Sequence, residues 1–161
     1  MAANAVANRV VKSAGDACRL HRIYRISLEN GSKYVGQTNR FPAERFKEHA
    51  RESSKCTLLK DALKMSPASI HTLAVVGPHQ VDVFEKVAIA FENTVVPDGL
   101  NMTIGGPGVK RRDEKYDKFR DDVSLVKTLL ATGKFVSYDV LFMKGVVSMS
   151  EDEFNAVKRL I

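Results

Sequence analysis

The chain of 161 residues is 44% hydrophobic and 27% charged, long enough to bury one compact core and too apolar for a disordered polymer. Its 25 Lys+Arg against 19 Asp+Glu give a formal net charge of +6, a balance that suits a polyanionic partner without requiring one. Cys18 and Cys56 stand far apart with no Cys or His at metal-ligand spacing, so neither a disulfide framework nor a zinc module is indicated, and no apolar run approaches the roughly 20 residues of a bilayer span.

Three zones follow one another. Residues 1–20 are rich in Ala and Val and suggest a frayed or helical extension. Arg9 and Lys12 in an acid-free stretch give it a faint presequence character, and no apolar h-region of a secretory signal is present. A reducing, intracellular, cytoplasmic setting is expected, in a bacterial or phage-infected cell, or a nuclear or mitochondrial one in a eukaryote. Residues 21–108 alternate strand and helix patterns. The tract VKRRDEKYDKFRDD opens the third zone, residues 109–161, as a charged linker or solvated helix ahead of a small helical tail.

In the middle zone Tyr24, Ile26 and Leu28 alternate with Arg25 and Ser27, the pattern of a half-buried strand. Asn30-Gly31 suits a type I′ turn, and Lys33 to Thr38 returns as a second strand. Pro42 suits the first turn of a helix running to about Ser53. A short helix from Thr57 to Met65 is stopped by Ser66-Pro67. His71 to Gly77 reads as a third strand. From about Gln80 to Val96, Val81, Phe84, Ala88, Phe91 and Val95 recur at helical spacing, and Pro97-Asp98-Gly99 ends that helix. Leu100 to Gly108 is a glycine-rich loop. Its Gly105-Gly106 pair does not follow a strand and open a helix, which rejects a nucleotide-cradling loop. In the tail, Gly133 suits a C-cap, and Ser150 with Glu153 suits a capping box.

Arg45 and His49 form an i, i+4 pair and share one helix face. Alone they would read as a solvated face, and Tyr24 with Tyr34 as a cross-strand aromatic pair in the core. Glu92 lies at the edge of the apolar stripe of its helix, and Glu85, two turns earlier on nearly the same stripe, competes with it. Either carboxylate would suit a Mg²⁺ ion, which takes one or two carboxylates and keeps several waters.

Taken in order, Arg22-Ile23-Tyr24, Tyr34-Val35-Gly36, Arg45-x-x-x-His49, Glu92-Asn93 and Asn101-x-Thr103-x-Gly105-Gly106-x-Gly108 resemble the GIY-YIG nuclease family over roughly residues 21–108. Arg22 stands where the family name has Gly and Val35 where it has Ile. The connection from Gly36 to Arg45 is one residue longer than expected of close relatives.

The resemblance implies an α+β fold, a small three-stranded antiparallel sheet flanked by helices, here with a small helical C-terminal extension. It implies a metal-dependent DNA endonuclease using Mg²⁺ or Mn²⁺, with DNA as partner and a monomeric or homodimeric state. It places Tyr24 as general base and Tyr34 as orienting group, in roles that are exchangeable. Arg45 is implied as the phosphate clamp, His49 as its assistant and Glu92 as the metal ligand, preferred over Glu85 for the adjacent Asn93. Beside the resemblance, Gly36 suits close approach of phosphate or chain, Lys33 and Arg40 suit DNA phosphate contacts or equally a solvated surface, and Asn101 suits tying the last loop to the DNA-binding site.

The glycine-rich ending is similar to that of homing or phage-type members, whose catalytic domain precedes a DNA-binding tail. With eleven Lys+Arg and nine Asp+Glu, however, residues 109–161 are scarcely basic. A dimeric restriction-type nuclease and a non-catalytic DNA-binding module are the competing expectations.

Overall fold

The computed structural model describes residues 19–161; the expected N-terminal extension lies almost wholly outside the described residues. Strands β1 (His21–Leu28), β2 (Lys33–Thr38) and β3 (Ala68–Val76) form one antiparallel sheet in the order β2-β1-β3. Around it stand six helices: α1 (Pro42–His49), α2 (Thr57–Met65), α3 (Val81–Glu92), α4 (Glu114–Ala131), α5 (Tyr138–Met143) and α6 (Glu151–Leu160). This is the α+β arrangement the sequence implies.

Alternation along β1 divides the molecule into two layers. Ile23 faces a large core with Val35, Val76 and the apolar side of α3. Tyr24, Ile26 and Leu28 face a second cluster with Leu59, edged by Tyr34, Phe46 and Cys56. The central strand is therefore buried on both sides, while β2 remains an edge.

The hairpin turn differs from the expected type I′. Gly31 N–H donates to Leu28 O (3.0 Å), Leu28 N–H donates to Ser32 O (2.9 Å), and Gly31 alone takes a positive φ, of 88°. These features describe a three-residue loop with a glycine bulge. Asn30 Oδ1 accepts from Ser32 N–H at 2.9 Å, so its side chain closes the turn without the left-handed backbone that type I′ demands.

Three element bounds also move. Helix α1 ends at His49 and not near Ser53, and the chain continues in turns through Ser54. Strand β3 begins at Ala68, directly after Pro67, because the whole length of β1 offers partners to it. Helix α3 stops at Glu92, where Asn93 adopts the left-handed conformation (φ 51°) and its N–H returns to Ala90 O and Ile89 O. That αL cap frees Val95 to bridge Asn101.

The charged tract after residue 109 serves mainly as the first turns of α4. Asp113 caps that helix by accepting from Tyr116 N–H (2.8 Å), and Tyr116, Phe119, Val123 and Val126 are buried. They join the core behind α3 together with Phe154, Ala156 and Val157 of α6. Gly133 follows α4 with φ 71°, and the Ser150/Glu153 capping box opens α6, both as the sequence indicates.

Candidate active site

The second layer carries the reactive groups. Tyr24 on β1 lies opposite Gly36 on β2, and Ile26 lies opposite Tyr34, so the two tyrosines share one face two residues apart. Their ring centroids are 6.5 Å apart. Gly36 makes this possible, because a Cβ there would stand 2.6 Å from Tyr24 Oη and 3.0 Å from Tyr34 Cε1. The glycine of the second motif thus acts as a slot for a tyrosine ring.

Helix α1 lays His49 over that slot. Tyr24 Oη and His49 Nε2 are 2.8 Å apart, and both residues are 1% exposed. The Tyr34 and His49 rings meet edge to face at 5.1 Å. Burial, helped by the Arg45 charge, lowers His49 to about 4, so the imidazole is neutral near pH 7 and able to accept a proton. Burial raises Tyr24 well above the ordinary phenol range, and the adjacent Arg45 guanidinium partly opposes it. Tyr34 is raised too, by burial and then by Tyr24, Cys56 and Glu85.

Arg45 reaches this group one turn before His49. Burial acts against its charge, but hydrogen bonds to Glu48 and Tyr24 outweigh that and raise it. Glu48 Oε2 accepts from Arg45 NH1 at 2.7 Å, and Glu48 Oε1 is 2.7 Å from Arg40 NH1. Arg40, expected at phosphate, is thus bound to a carboxylate. A cavity of about 260 Å³ opens beside these groups, lined by Arg45, Glu48, His49, Arg51, Ser53, Ser54, Lys55 and Cys56. Glu48, Arg51 and Lys55 escape a reading by family motif. The only sequence signal for Glu48 is its i, i+3 spacing from Arg45.

The two competing carboxylates separate clearly. Glu92 faces the other layer, where Oε1 accepts from Arg25 NH1 (2.9 Å) and Oε2 from Lys33 Nζ (3.1 Å), and its side chain is only 8% exposed. Arg25 and Lys33 alternate with Tyr24 and Tyr34 along their strands, so the sheet stands between Glu92 and the phenols. Glu85 instead adds negative potential at both Tyr24 and Tyr34. Burial and then Asp82 raise it to about 6, against a backbone hydrogen bond from Gly106. Of the two, Glu85 is the one whose charge bears on both phenols. Glu92 is held by Arg25 and Lys33 in an ion-pair network on the other face of the sheet.

Asn101 is the tie that the sequence suggests, and it bonds through both ends of its amide. Its Oδ1 accepts from Val35 N–H (2.9 Å) and its Nδ2 donates to Val35 O (2.7 Å), in a side chain from a residue 5% exposed. Leu100 N–H adds a bond to Lys33 O at 2.9 Å, so the loop pairs with the edge of β2.

Residues 20–76 match the family model of the GIY-YIG catalytic domain. The matched segment holds Tyr24, Tyr34, Gly36, Arg45 and His49. Over those residues the chain is similar to GIY-YIG catalytic domains. That likeness implies a nuclease, one that hydrolyses phosphodiester bonds. Comparison with curated proteins and with solved structures found no match. Among the described residues no helix is long and apolar enough to cross a membrane, and no cluster of three or more His, Cys, Asp or Glu has the geometry of a metal site.

Proposed function

We propose that the chain is a DNA endonuclease of the GIY-YIG type whose reaction centre is Tyr24, Tyr34, Arg45, His49 and Glu85. The observation that carries this reading is the 2.8 Å contact between Tyr24 Oη and a neutral, buried His49, with a guanidinium beside the same phenol. A phenol raised by burial is a poor base alone. Paired with a neutral imidazole, it can take a proton from water as it passes its own to His49 Nε2.

The water oxygen attacks phosphorus in line, and the P–O3′ bond breaks to leave a 5′-phosphate and a 3′-hydroxyl that takes its proton from solvent. Arg45 donates to the non-bridging oxygens as negative charge gathers on them. Tyr34 orients the water or the phosphate from the neighbouring position on the sheet. Arg51 and Lys55, on the wall of the adjoining cavity, suit the flanking backbone phosphates.

A single carboxylate fits one Mg²⁺ or Mn²⁺ ion with most of its waters retained, and Glu85, raised to about 6 by burial and without a cation partner among the described residues, suits that role while Glu48 is taken up by Arg40 and Arg45. Glu85 would hold the ion, which when bound supplies charge neutralisation at the phosphate. Helices α4 and α6 share the core of α3, which supports a nuclease built as one body over a catalytic domain trailing a tethered tail of the homing kind.

The test is plasmid nicking with and without Mg²⁺ or Mn²⁺, with the ends mapped. Tyr24→Phe and Arg45→Ala are expected to lower the rate by about 10²- to 10⁴-fold. Undiminished nicking by either variant refutes the assignment.

A further inference from the structure

Arg45 already has an anion in the free protein. The Glu48 carboxylate bridges two guanidiniums, Arg45 NH1 at 2.7 Å on one oxygen and Arg40 NH1 at 2.7 Å on the other, with Arg40 NH2 at 3.0 Å as a further bond. A carboxylate between two guanidiniums presents the planar, two-oxygen pattern through which guanidinium also recognises phosphate. It is also the one carboxylate among the residues lining the cavity beside His49, whose other charged walls are Arg45, Arg51 and Lys55.

A phosphate arriving at Arg45 meets Glu48 at close range, and two anions cannot share that guanidinium without repulsion. Glu48 has a second place to go. Arg40 stands on the loop before α1, with its side chain 53% exposed against 37% for Arg45, and it already holds both oxygens of the same carboxylate. Rotation of Glu48 wholly onto Arg40 would release Arg45 and leave the outward pair intact.

We propose that Glu48 is a placeholder for the DNA phosphate: it keeps Arg45 aligned in the free protein and yields that guanidinium to the phosphodiester by withdrawing onto Arg40. This rests on the nuclease reading of the site. Glu48 is therefore a positioning residue that makes DNA displace an internal competitor. The device favours a polyanion that brings several phosphates at once over a lone small anion, which lacks the neighbouring contacts at Arg51 and Lys55.

The experiment measures binding of a non-cleavable phosphorothioate duplex without divalent metal at fixed salt, and KM and kcat for nicking of an ordinary duplex with Mg²⁺. It compares the wild-type chain with Glu48→Gln, Arg40→Ala and the double variant. Glu48→Gln is expected to bind the duplex about 3- to 10-fold more tightly and to lower KM, because the competitor is gone. Arg40→Ala is expected to weaken binding, since Glu48 is then left on Arg45 alone, and that loss should vanish in the double variant.

Weaker binding by Glu48→Gln with a lowered kcat would mean that Glu48 only braces Arg45, and would overturn the inference. An equal Arg40→Ala loss in both backgrounds would make Arg40 a direct phosphate contact and overturn it as well. A wild-type chain that neither nicks nor binds DNA refutes the nuclease reading itself, and the inference with it. Nicking accompanied by unimproved binding of Glu48→Gln refutes the inference alone.

Discussion

A methyl group placed on Gly36 would fall 2.6 Å from Tyr24 Oη and 2.8 Å from Tyr24 Cζ. The two residues are direct partners across β1 and β2, so the tyrosine ring lies over the backbone of its neighbour. Gly36→Ala should therefore push the ring off His49. The expected result is a fall in nicking of about 100-fold, since small misplacement of reacting groups is that costly. Stability should drop by about 1–3 kcal/mol through overpacking. Activity measured alongside urea unfolding checks it: a fully active, fully stable Gly36→Ala would mean the ring does not need this slot.

Glu85→Gln and Glu92→Gln should part company. Replacing Glu85 is expected to abolish metal-stimulated nicking with little loss of stability. Replacing Glu92 leaves Arg25 and Lys33 without their shared carboxylate, beside an Arg25 Nε that already lacks a partner. A loss of about 1–3 kcal/mol is expected there, with nicking retained by the folded fraction. Thermal unfolding and nicking of the two purified variants decide it, and the reverse pattern would return the metal-ligand role to Glu92.

His49 makes stability fall on the acid side. Its folded value of about 4 lies below the ordinary 6.5, so the unfolded chain binds more protons between those limits, and stability is lost as the pH drops through that window. The loss from this residue is on the order of 2–3 kcal/mol by pH 4. Glu85 acts with the opposite sign. Raised to about 6 from 4.5, it contributes stability below pH 4.5 that is lost as the pH rises through 6. Urea unfolding from pH 7 to pH 4.5 should thus show a shallower slope in His49→Gln and a steeper one in Glu85→Gln. An unchanged slope in His49→Gln would show that the imidazole titrates normally.

Asn101→Ala removes both partners of the Val35 backbone at once. Among the described residues Asn101 supplies the side-chain partner of both Val35 N–H and Val35 O, so a loss of about 2–4 kcal/mol is expected. Hydrogen exchange should show β2 amides opening first. Preserved protection at Val35 would mean that the Leu100–Lys33 bond alone secures the loop.

What the sequence reveals of this site follows from distance along the chain. Tyr24, Tyr34 and Gly36 lie on one hairpin, and Arg45 and His49 on one helix, so local periodicity brings each group to a common face. The choice between Glu85 and Glu92 has no such local answer. Seven residues of helix bring the side chains back to nearly the same angle, and only the roughly 10 Å rise between them separates their surroundings. Strand parity holds the missing clue, because Arg25 and Lys33 must face away from Tyr24 and Tyr34 and are free to capture a carboxylate on α3.

The helical tail was obscured for a different reason. Tyr116, Phe119, Val123 and Val126 keep the three- and four-residue spacing of a buried stripe, but the first two are embedded in a tract so dense in charge that it resembles a solvated linker. The side of the helix, and not its average composition, determines what it does.

Helix α3 carries Glu85 and packs its apolar side against Ile23, Val35, Val123 and Val157. The segment that carries the family signature ends at residue 76, before that helix begins. A fragment cut there would expose the inner face of its own sheet and lose both Glu85 and Glu92 in the same stroke. The recognisable motif is thus not a portable cassette in this chain. Its sheet packs on a wall contributed by residues that the signature does not include, and any fusion or truncation that seeks to reuse the proposed activity has to carry that wall with it.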